Sequence, residues 1–522
     1  MIQMSGTVAG RYSKLTDDRN HYLDRARECS ELTIPSLIPT EGFESSSKLY
    51  QPFQSIGARG VNNLASKLLL LLLPPNQPFF RLSLDPNAEQ QAAEDEGHKA
   101  EIEEALGSYE RNVLREIEGK SMRPSLWQAL KHLIVGGNVV FLHPKAGSVK
   151  VYTLNQYVCR RGPDGELIEL IIKESIDKSS LTEEFKALLS DNDKMSEEAC
   201  DIYTHIVLIG DMYYSHQEVK EVIVPGSDGT YKKDLLPYLA LRFVSIDGEN
   251  YGRGMCEEYQ GDLRSLEGLM KAMVETSAAS SKVVFLVRPN ASTRKRDLAM
   301  AENGAIITGN PDDVQVLQVQ KYPDMQVVME TVNRIEKRLS YAFLLNTSVS
   351  RDAERVTAEE IRFLSQELEA SLGGVYSILS QELQLPLVNI IMERLMASRK
   401  LPRLPKDTVT PVITTGVEAL GRGNDLNKLR AFVGDVVNLA GANPEIIQKL
   451  NFSDLLTRLS TGHGIDSKGL VKSEEQMQQE QQQAEQMQQQ QMAMQAGAAS
   501  APGVTREMAK GAVDANVPQE SE

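Results

Sequence analysis

An α+β fold is expected for this chain, and three observations predict it. Residues up to about 135 carry apolar positions at helical spacing. Between 139 and 224 the apolar residues come instead in short β-type runs separated by turn chemistry. From Gly254 the spacing turns helical again, and two long amphipathic helices flank a compact insert with β-type runs of its own.

The elements follow in order. Residues 15–30 are charged with apolar spacing and read as a helix that precedes Pro35. Residues 56–73 read as a second helix, stopped by Pro74 and Pro75. Residues 94–118, rich in Glu and Ala, read as a third, and 123–135, with the single tryptophan Trp127, as a fourth. The runs 139–142, 148–152, 167–172, 203–209 and 219–224 read as strands of a meandering antiparallel sheet. Ala146-Gly147, Gly162-Pro163-Asp164-Gly165 and Gly226-Ser227-Asp228-Gly229 supply turns.

Beyond Gly254, the residues Leu263, Leu266, Met270, Met273 and Val274 recur at helical spacing. Strand-like pieces follow at 283–287, 305–308 and 314–319, with basic Arg294-Lys295-Arg296 on a loop or short helix between them. Met325, Val328, Val332, Ile335, Leu339 and Phe343 then mark a second long helix after Pro323. The polar segment 346–352 has no periodicity, and Thr357-Ala358-Glu359-Glu360 is a capping box that opens a further helix. Gly373-Gly374 and Pro386 predict a bend or break in that helix. Residues 425–459 read as a shorter helical region, 474–494 as a marginal Gln- and Met-rich helix, and the last stretch as disordered.

Composition narrows the function. The chain has 522 residues, 41% of them hydrophobic and 25% charged, enough for two to four domains with sizeable cores. Its net charge of −16 argues against a protein that grips nucleic acid, because grip comes from cations neutralising phosphates. That charge is compatible with letting DNA slide past. Cys29, Cys159, Cys200 and Cys256 form no C-x-x-C pair, which points to free thiols in a reducing compartment. Residues 1–11 show no signal-peptide pattern, and the apolar run 68–73 is too short to span a bilayer, so no membrane is expected.

Catalytic signatures are missing from the sequence. There is no Walker phosphate loop, no H-E-x-x-H and no G-x-S-x-G. Gly57-Ala58-Arg59-Gly60 reads as a helix start, not a phosphate site. The seven histidines are isolated, and carboxylate pairs such as Asp312-Asp313 are expected by chance in so acidic a chain. No enzyme, metal or cofactor is expected.

Five stretches carry a resemblance: TIPSL at 33–37, GARGVNNLASKL at 57–68, GDLRSLE at 261–267, RVTAEEIR at 355–362 and LGGVYSILSQELQLPL at 372–387. Over about residues 8–475 the chain resembles the portal, or head-to-tail connector, proteins of podovirus-type phages of the autographivirus group. It departs from them mostly beyond Ser473. The resemblance implies a ring of about twelve copies at one capsid vertex, with an axial channel for double-stranded DNA.

It also implies named parts. These are an α+β wing at 1–252, a first stem helix at 253–282, a β-containing clip at 283–322 and a second stem helix at 323–345. A tunnel loop at 346–356, a long bent wing helix at 357–400, a helical crown at 401–472 and the tail 473–522 complete the chain. Expected partners are further copies of the chain, the terminase large subunit, tail adaptor and tail tube proteins, and scaffold, major capsid and internal core proteins. The protein is expected to be made in the host cytoplasm and to nucleate procapsid assembly. The second reading is another acidic virion structural or scaffold protein without a channel.

Candidate DNA-facing residues of the tunnel loop are Asn346, Thr347, Ser348, Val349, Ser350, Arg351, Asp352 and Arg355. Stem candidates for the channel wall are Lys271, Lys282, Arg334, Lys337 and Arg338. Arg294, Lys295 and Arg296 are clip candidates for docking an acidic surface.

Overall fold

The computed structural model describes residues 7–40, 42–43, 46–75, 79–83, 96–145, 147–176, 200–280, 284–317, 322–345, 374–399, 412–415 and 422–440, with a few single positions outside these spans. The chain divides into two compact units: residues 1–94 with 108–421, and residues 95–107 with 422–522. Helix and sheet are mixed, as the sequence pattern leads one to expect.

The larger unit begins with α1 (Val8–Leu32), capped by Thr7, whose hydroxyl accepts from the Gly10 amide at 3.2 Å. Tyr12, Arg19, Leu23, Ala26 and Cys29 put its buried face on one stripe. Helix α2 (Ile56–Leu72) is followed by β1 (Phe80–Ser83), α3 (Glu96–Gly119, whose first residues belong to the smaller unit) and α4 (Met122–Gly136). Gly137 ends α4 at φ +73, with the backbone of Arg253 so close that a Cβ there would sit 2.4 Å from its carbonyl carbon. Only glycine meets both demands.

Ten strands come next or close by in the chain: β2 (Asn138–Leu142), β3 (Lys150–Tyr152), β4 (Tyr157–Arg161), β5 (Leu167–Ile176), β6 (Cys200–Ile209), β7 (Met212–Val219), β8 (Val222–Ile223), β9 (Gly229–Lys232) and β10 (Tyr238–Arg242), with β1 before them. β4 to β7 form an antiparallel meander, and both β8 and β9 pair with the far side of β7. A second antiparallel sheet has the order β10-β2-β3. Leu170, Ile172, Ile206 and Tyr213 on one face of the meander meet Leu23, Ala26, Val140 and Tyr152 in the main core. On the other face Val158 and Ile171 lie under Val8 and Tyr12.

Helices α5 (Met255–Glu258) and α6 (Gln260–Ser280) lead to β11 (Val284–Val287), α7 (Lys295–Ala299) and β12 (Val314–Leu317), and α8 (Tyr322–Ala342) returns. Then come α9 (Val375–Leu379), a π-turn (Ser380–Gln384), α10 (Leu385–Ala397) and β13 (Val412–Thr415), which pairs with β1. In the smaller unit α11 (Arg422–Ala440) buries Val436 and exposes Phe432 and Val437.

Three local expectations change. Residues 219–224 are not one strand but the hairpin between β7 and β8. Lys220 and Glu221 both have positive φ there (+47 and +68), as a two-residue hairpin turn requires, although neither residue type announces it. Residues 305–308 form no strand, because β11 and β12 pair with each other and leave that run without a ladder partner. Pro386 does not break the helix. It sits in the first turn of α10, where its missing N–H costs little, and the irregularity falls in the π-turn just before it. The capping box at 357, most of the expected long bent helix at 357–400 before residue 374 and the tail 473–522 lie outside the described residues.

A buried carboxylate ties α1 to the sheet. Glu169 on β5 accepts from Arg11 Nε (2.9 Å) and Nη2 (2.7 Å) and lies 3.1 Å from His205 Nε2 on β6. Burial pushes its pKa up, but the His205 and Arg11 hydrogen bonds outweigh burial and hold it at about 2. A carboxyl held that low stabilises the fold fully above its ordinary range near 4.5 and loses the contribution as pH falls towards about 2. Glu169→Gln should therefore lower the urea midpoint clearly at pH 7. The gap from the unsubstituted protein should narrow steadily between pH 4.5 and pH 2; a gap independent of pH would show that the charge is not what matters.

Candidate functional site

Helices α6 and α8 run antiparallel, joined at their far ends by the β11–β12 ribbon. At the base they have a core: Leu263 and Leu266 on α6, Val332, Ile335 and Leu339 on α8, and Phe343 just after it are buried. Further out the core disappears. Among the described residues no side chain of α6 beyond Glu267, and none of α8 before Val332, is buried. Between 285 and 315 only Thr293 is buried. The projection nevertheless exposes large apolar groups: Val274 (48%), Phe285 (54%), Met300 (70%), Ile306 (100%) and Val327 (66%). Val274, expected on the packed stripe of α6, is one of them. A two-stranded ribbon has marginal stability by itself, and a concentration of exposed apolar side chains marks a surface that other chains cover.

The base is pinned by charge as well as by packing. Glu267, itself buried, accepts from Tyr50 Oη (2.6 Å), the Phe53 amide (2.9 Å) and the Gln54 amide (3.2 Å). That hydrogen bond is the first cause of a Tyr50 pKa pushed up to about 12. Arg264 pairs with Glu28 of α1 at 2.9 Å, and Arg338 crosses from α8 to Asp262 of α6 at 2.7 Å.

The expected stem cations separate into two groups. Arg334 pairs with Glu330 one turn away, and Arg338 with Asp262. Lys271 and Lys337 are exposed and have no ion pair among the described residues. Lys282 lies outside those residues, as do Asn346, Thr347, Ser348, Val349, Ser350, Arg351, Asp352 and Arg355. Arg294, Lys295 and Arg296 are all exposed at the start of α7 and unpaired among the described residues. The turn before them is held by Asp313, which accepts from the Ser292 amide and hydroxyl, each at 2.9 Å; the Ser292 hydroxyl is the leading cause that lowers the Asp313 pKa.

The end of α8 reveals a feature that sequence reasoning missed. The Leu345 amide donates to Ser340 O and the Leu344 amide to Tyr341 O, the Schellman pattern. Its left-handed position is occupied by Leu344 (φ +53), where glycine is usual. A leucine there costs about 1 kcal/mol. Helix α2 holds this turn. Asn63 Nδ2 donates to Phe343 O (3.0 Å) and Leu344 O (3.1 Å), and Lys67 Nζ donates to Leu344 O (2.8 Å). Gly60 lies under the Phe343 ring, whose Cγ would be 2.5 Å from an added Cβ. Gly60, Asn63 and Lys67 are spaced by three and four residues, so one stripe of α2 carries all three. The detectable signal was Lys67 on the apolar stripe of Leu64, Leu68 and Leu71, where a charge needs a reason to be buried.

The described part holds no group of His, Cys, Asp and Glu suited to a metal ion and no helix long and apolar enough to cross a membrane. It does hold the α6–α8 hairpin, which exposes large apolar side chains and has almost no core beyond its base. The chain belongs to the bacteriophage head to tail connecting proteins, a family that matches residues 5–471. It is 43% identical to the portal protein of Escherichia phage T7, over 90% of this chain and 88% of that protein. With the portal protein of Enterobacteria phage SP6 it shares 30% identity over 96% of both, and with that of Pseudomonas phage phiKMV 29% over 91% and 93%. The family is structural and non-enzymatic. The neck of a native gene transfer agent particle aligns over 72% of this chain and 85% of its own at 9% identity, but a TM-score of 0.34 adds nothing to the assignment.

Gly60→Ala tests the contact between α2 and the end of α8. Overpacking against a buried ring costs about 1–3 kcal/mol, so the variant should unfold at lower urea; an unchanged midpoint would mean the Phe343 ring is free to move away.

Proposed function

We propose that copies of this chain close into a ring of about twelve at one vertex of the capsid, and that double-stranded DNA enters and leaves the head through its axis. One observation carries the ring: the α6–α8 projection exposes large apolar side chains and has almost no core of its own. In a cyclic ring each copy covers one face of its neighbour and is covered on the other, which is what such a hairpin needs. In this reading 1–252 is the wing, α6 and α8 are the stem, 283–322 is the clip, 346–356 is the tunnel loop and 401–472 is the crown.

The charge supports a conduit. A ring of chains at −16 each repels the phosphate backbone and keeps DNA mobile, since every cation–phosphate contact adds affinity and so friction. Lys271 and Lys337 are the described stem cations left to touch DNA. Arg351 and Arg355 would do so in the tunnel loop. Arg294, Lys295 and Arg296 in the clip would dock acidic surfaces, first of the terminase large subunit and then of tail adaptor and tail tube proteins. Scaffold, major capsid and internal core proteins would assemble around the ring after synthesis in the host cytoplasm.

Negative-stain microscopy of the purified protein tests the ring: closed annuli with an axial hole are expected, and a uniform monomer would refute it. Deleting Thr347 to Asp352 should leave those annuli intact and lower the number of heads that keep their DNA; full retention would remove the loop from the account. Reversing Arg294, Lys295 and Arg296 to Glu should weaken binding to terminase or adaptor by tenfold or more, on the order of 1.4 kcal/mol. Unchanged binding would move the docking surface elsewhere.

A further inference from the structure

The tunnel loop leaves the body at the one described point where a strained turn, a helix end and a buried amine coincide. Helix α8 ends with its last carbonyls unpaired within the helix, as every helix does. Here Ser340 O and Tyr341 O are met by the Leu345 and Leu344 amides, Asn63 and Lys67 of α2 meet the next carbonyls, Phe343 O and Leu344 O, and the turn has a leucine in the left-handed region. Lys67 is 5% exposed, so its ammonium was taken out of water to reach Leu344 O. A positive charge at a helix C-terminus also opposes the negative end of the helix dipole. Strain that persists at one residue has to be held by its surroundings, and it collects where geometry serves function.

Helix α2 is tied to the returning chain too. Gln384 Nε2, in the π-turn after α9, donates to Leu72 O at 2.9 Å. Asn63 and Leu72 are about 14 Å apart along α2. One helix therefore holds both the residue before which the segment 346–373 departs and the helical path to which it returns.

We infer that Lys67, with Asn63, is a positioning residue for the tunnel loop: it locks the left-handed turn at Leu344 and so fixes the direction in which the chain leaves α8. This rests on the reading of 346–356 as the loop that meets DNA, but the clamp can be tested separately from it. Losing the amine releases the turn without opening the core, because methionine fills the space of the lysine stem.

The test uses full-length protein assembled as rings. Trypsin cuts after Arg351 and Arg355, and the rate of those cuts reads how firmly the segment is held. Lys67→Met should raise it severalfold, with cuts elsewhere in the chain unchanged. Lys67→Arg, which keeps a charged donor, should restore most of the protection. Asn63→Ala, which removes donors without touching a charge, should raise the same cuts and serves if Lys67→Met fails to assemble. Unchanged cutting after Arg351 and Arg355 in the assembled variants overturns the proposal. So does a rise shared by sites throughout the chain, which would mean general loosening. Heads built with Lys67→Met should also retain less DNA. If cutting rises and retention stays normal, the clamp stands and the DNA role of the loop falls.

Discussion

The hairpin of α6 and α8 must be held from its base, and much of the larger unit is organised by that requirement. Beyond Glu267 and before Val332 it has no buried side chain among the described residues of the two helices, so packing along its length cannot fix its direction. Direction comes from the first turns of α6 and the last turns of α8. Leu263 and Leu266 supply apolar burial there, and Glu267 supplies three acceptor contacts to the 50–54 loop. That loop then starts α2: Gln54 Oε1 accepts from the Gly57 amide at 2.9 Å, while Gln54 Nε2 donates to Leu32 O at the end of α1. A chain of polar contacts thus runs from α6 to α1 and α2, and α2 closes it by gripping the end of α8. A carboxylate as buried as Glu267 is tolerable because its oxygens are occupied by donors.

The β4–β7 sheet solves a different problem. Its meander is covered on both faces, by β2, β3 and the middle of α1 on one side and by the first turns of α1 on the other. Glu169 sits on the second face, and its pairing with Arg11 fastens the first turns of α1 beside Val8 and Tyr12. Arg242 does similar work for the returning helix: it donates from Nε and Nη2 to Glu382 in the π-turn, at 2.9 and 2.7 Å. The extra residue of that turn lets Glu382 and Gln384 reach Arg242 and Leu72 while the helix continues.

How much of this was legible depended on the range of the interaction. Amphipathic helices announce themselves through periodicity, so Ile56–Leu72 and Tyr322–Ala342 lie close to the expected bounds. Strands β4, β7, β9 and β10 fell outside the expected runs, because mixed stretches such as Met212–Val219 take their conformation from partners on either side. Turn residues without Gly or Asn, such as Lys220 and Glu221, leave no local mark at all. The cations of the candidate site were visible as residue types. That Arg334 and Arg338 are already paired depends on which way they point from α8, and spacing cannot give that for a contact to another helix. The clamp was hidden for the same reason: Lys67 and Leu344 are 277 positions apart in sequence.

In the proposed ring, the pairing of those cations would change how an acidic channel handles DNA. An arginine that already holds Glu330 or Asp262 presents a neutral pair to a passing phosphate, and to bind it must give up its partner. Exposed pairs of this kind contribute little to stability, about 0–1 kcal/mol, so folding alone gives them weak justification. Their effect on a polyanion would be larger, because each neutralised cation removes one counterion-release contact from the proposed channel wall. Arg264, paired with Glu28, joins Arg334 and Arg338, so the proposed stem would present isolated lysines rather than a continuous basic track. A lysine contact is compact and unidentate, so it releases phosphate more readily than a bidentate arginine fork. In the proposed channel, a wall with few such contacts on an acidic background would centre the duplex by repulsion and would leave positional control to the point where α8 ends and Lys67 holds the turn.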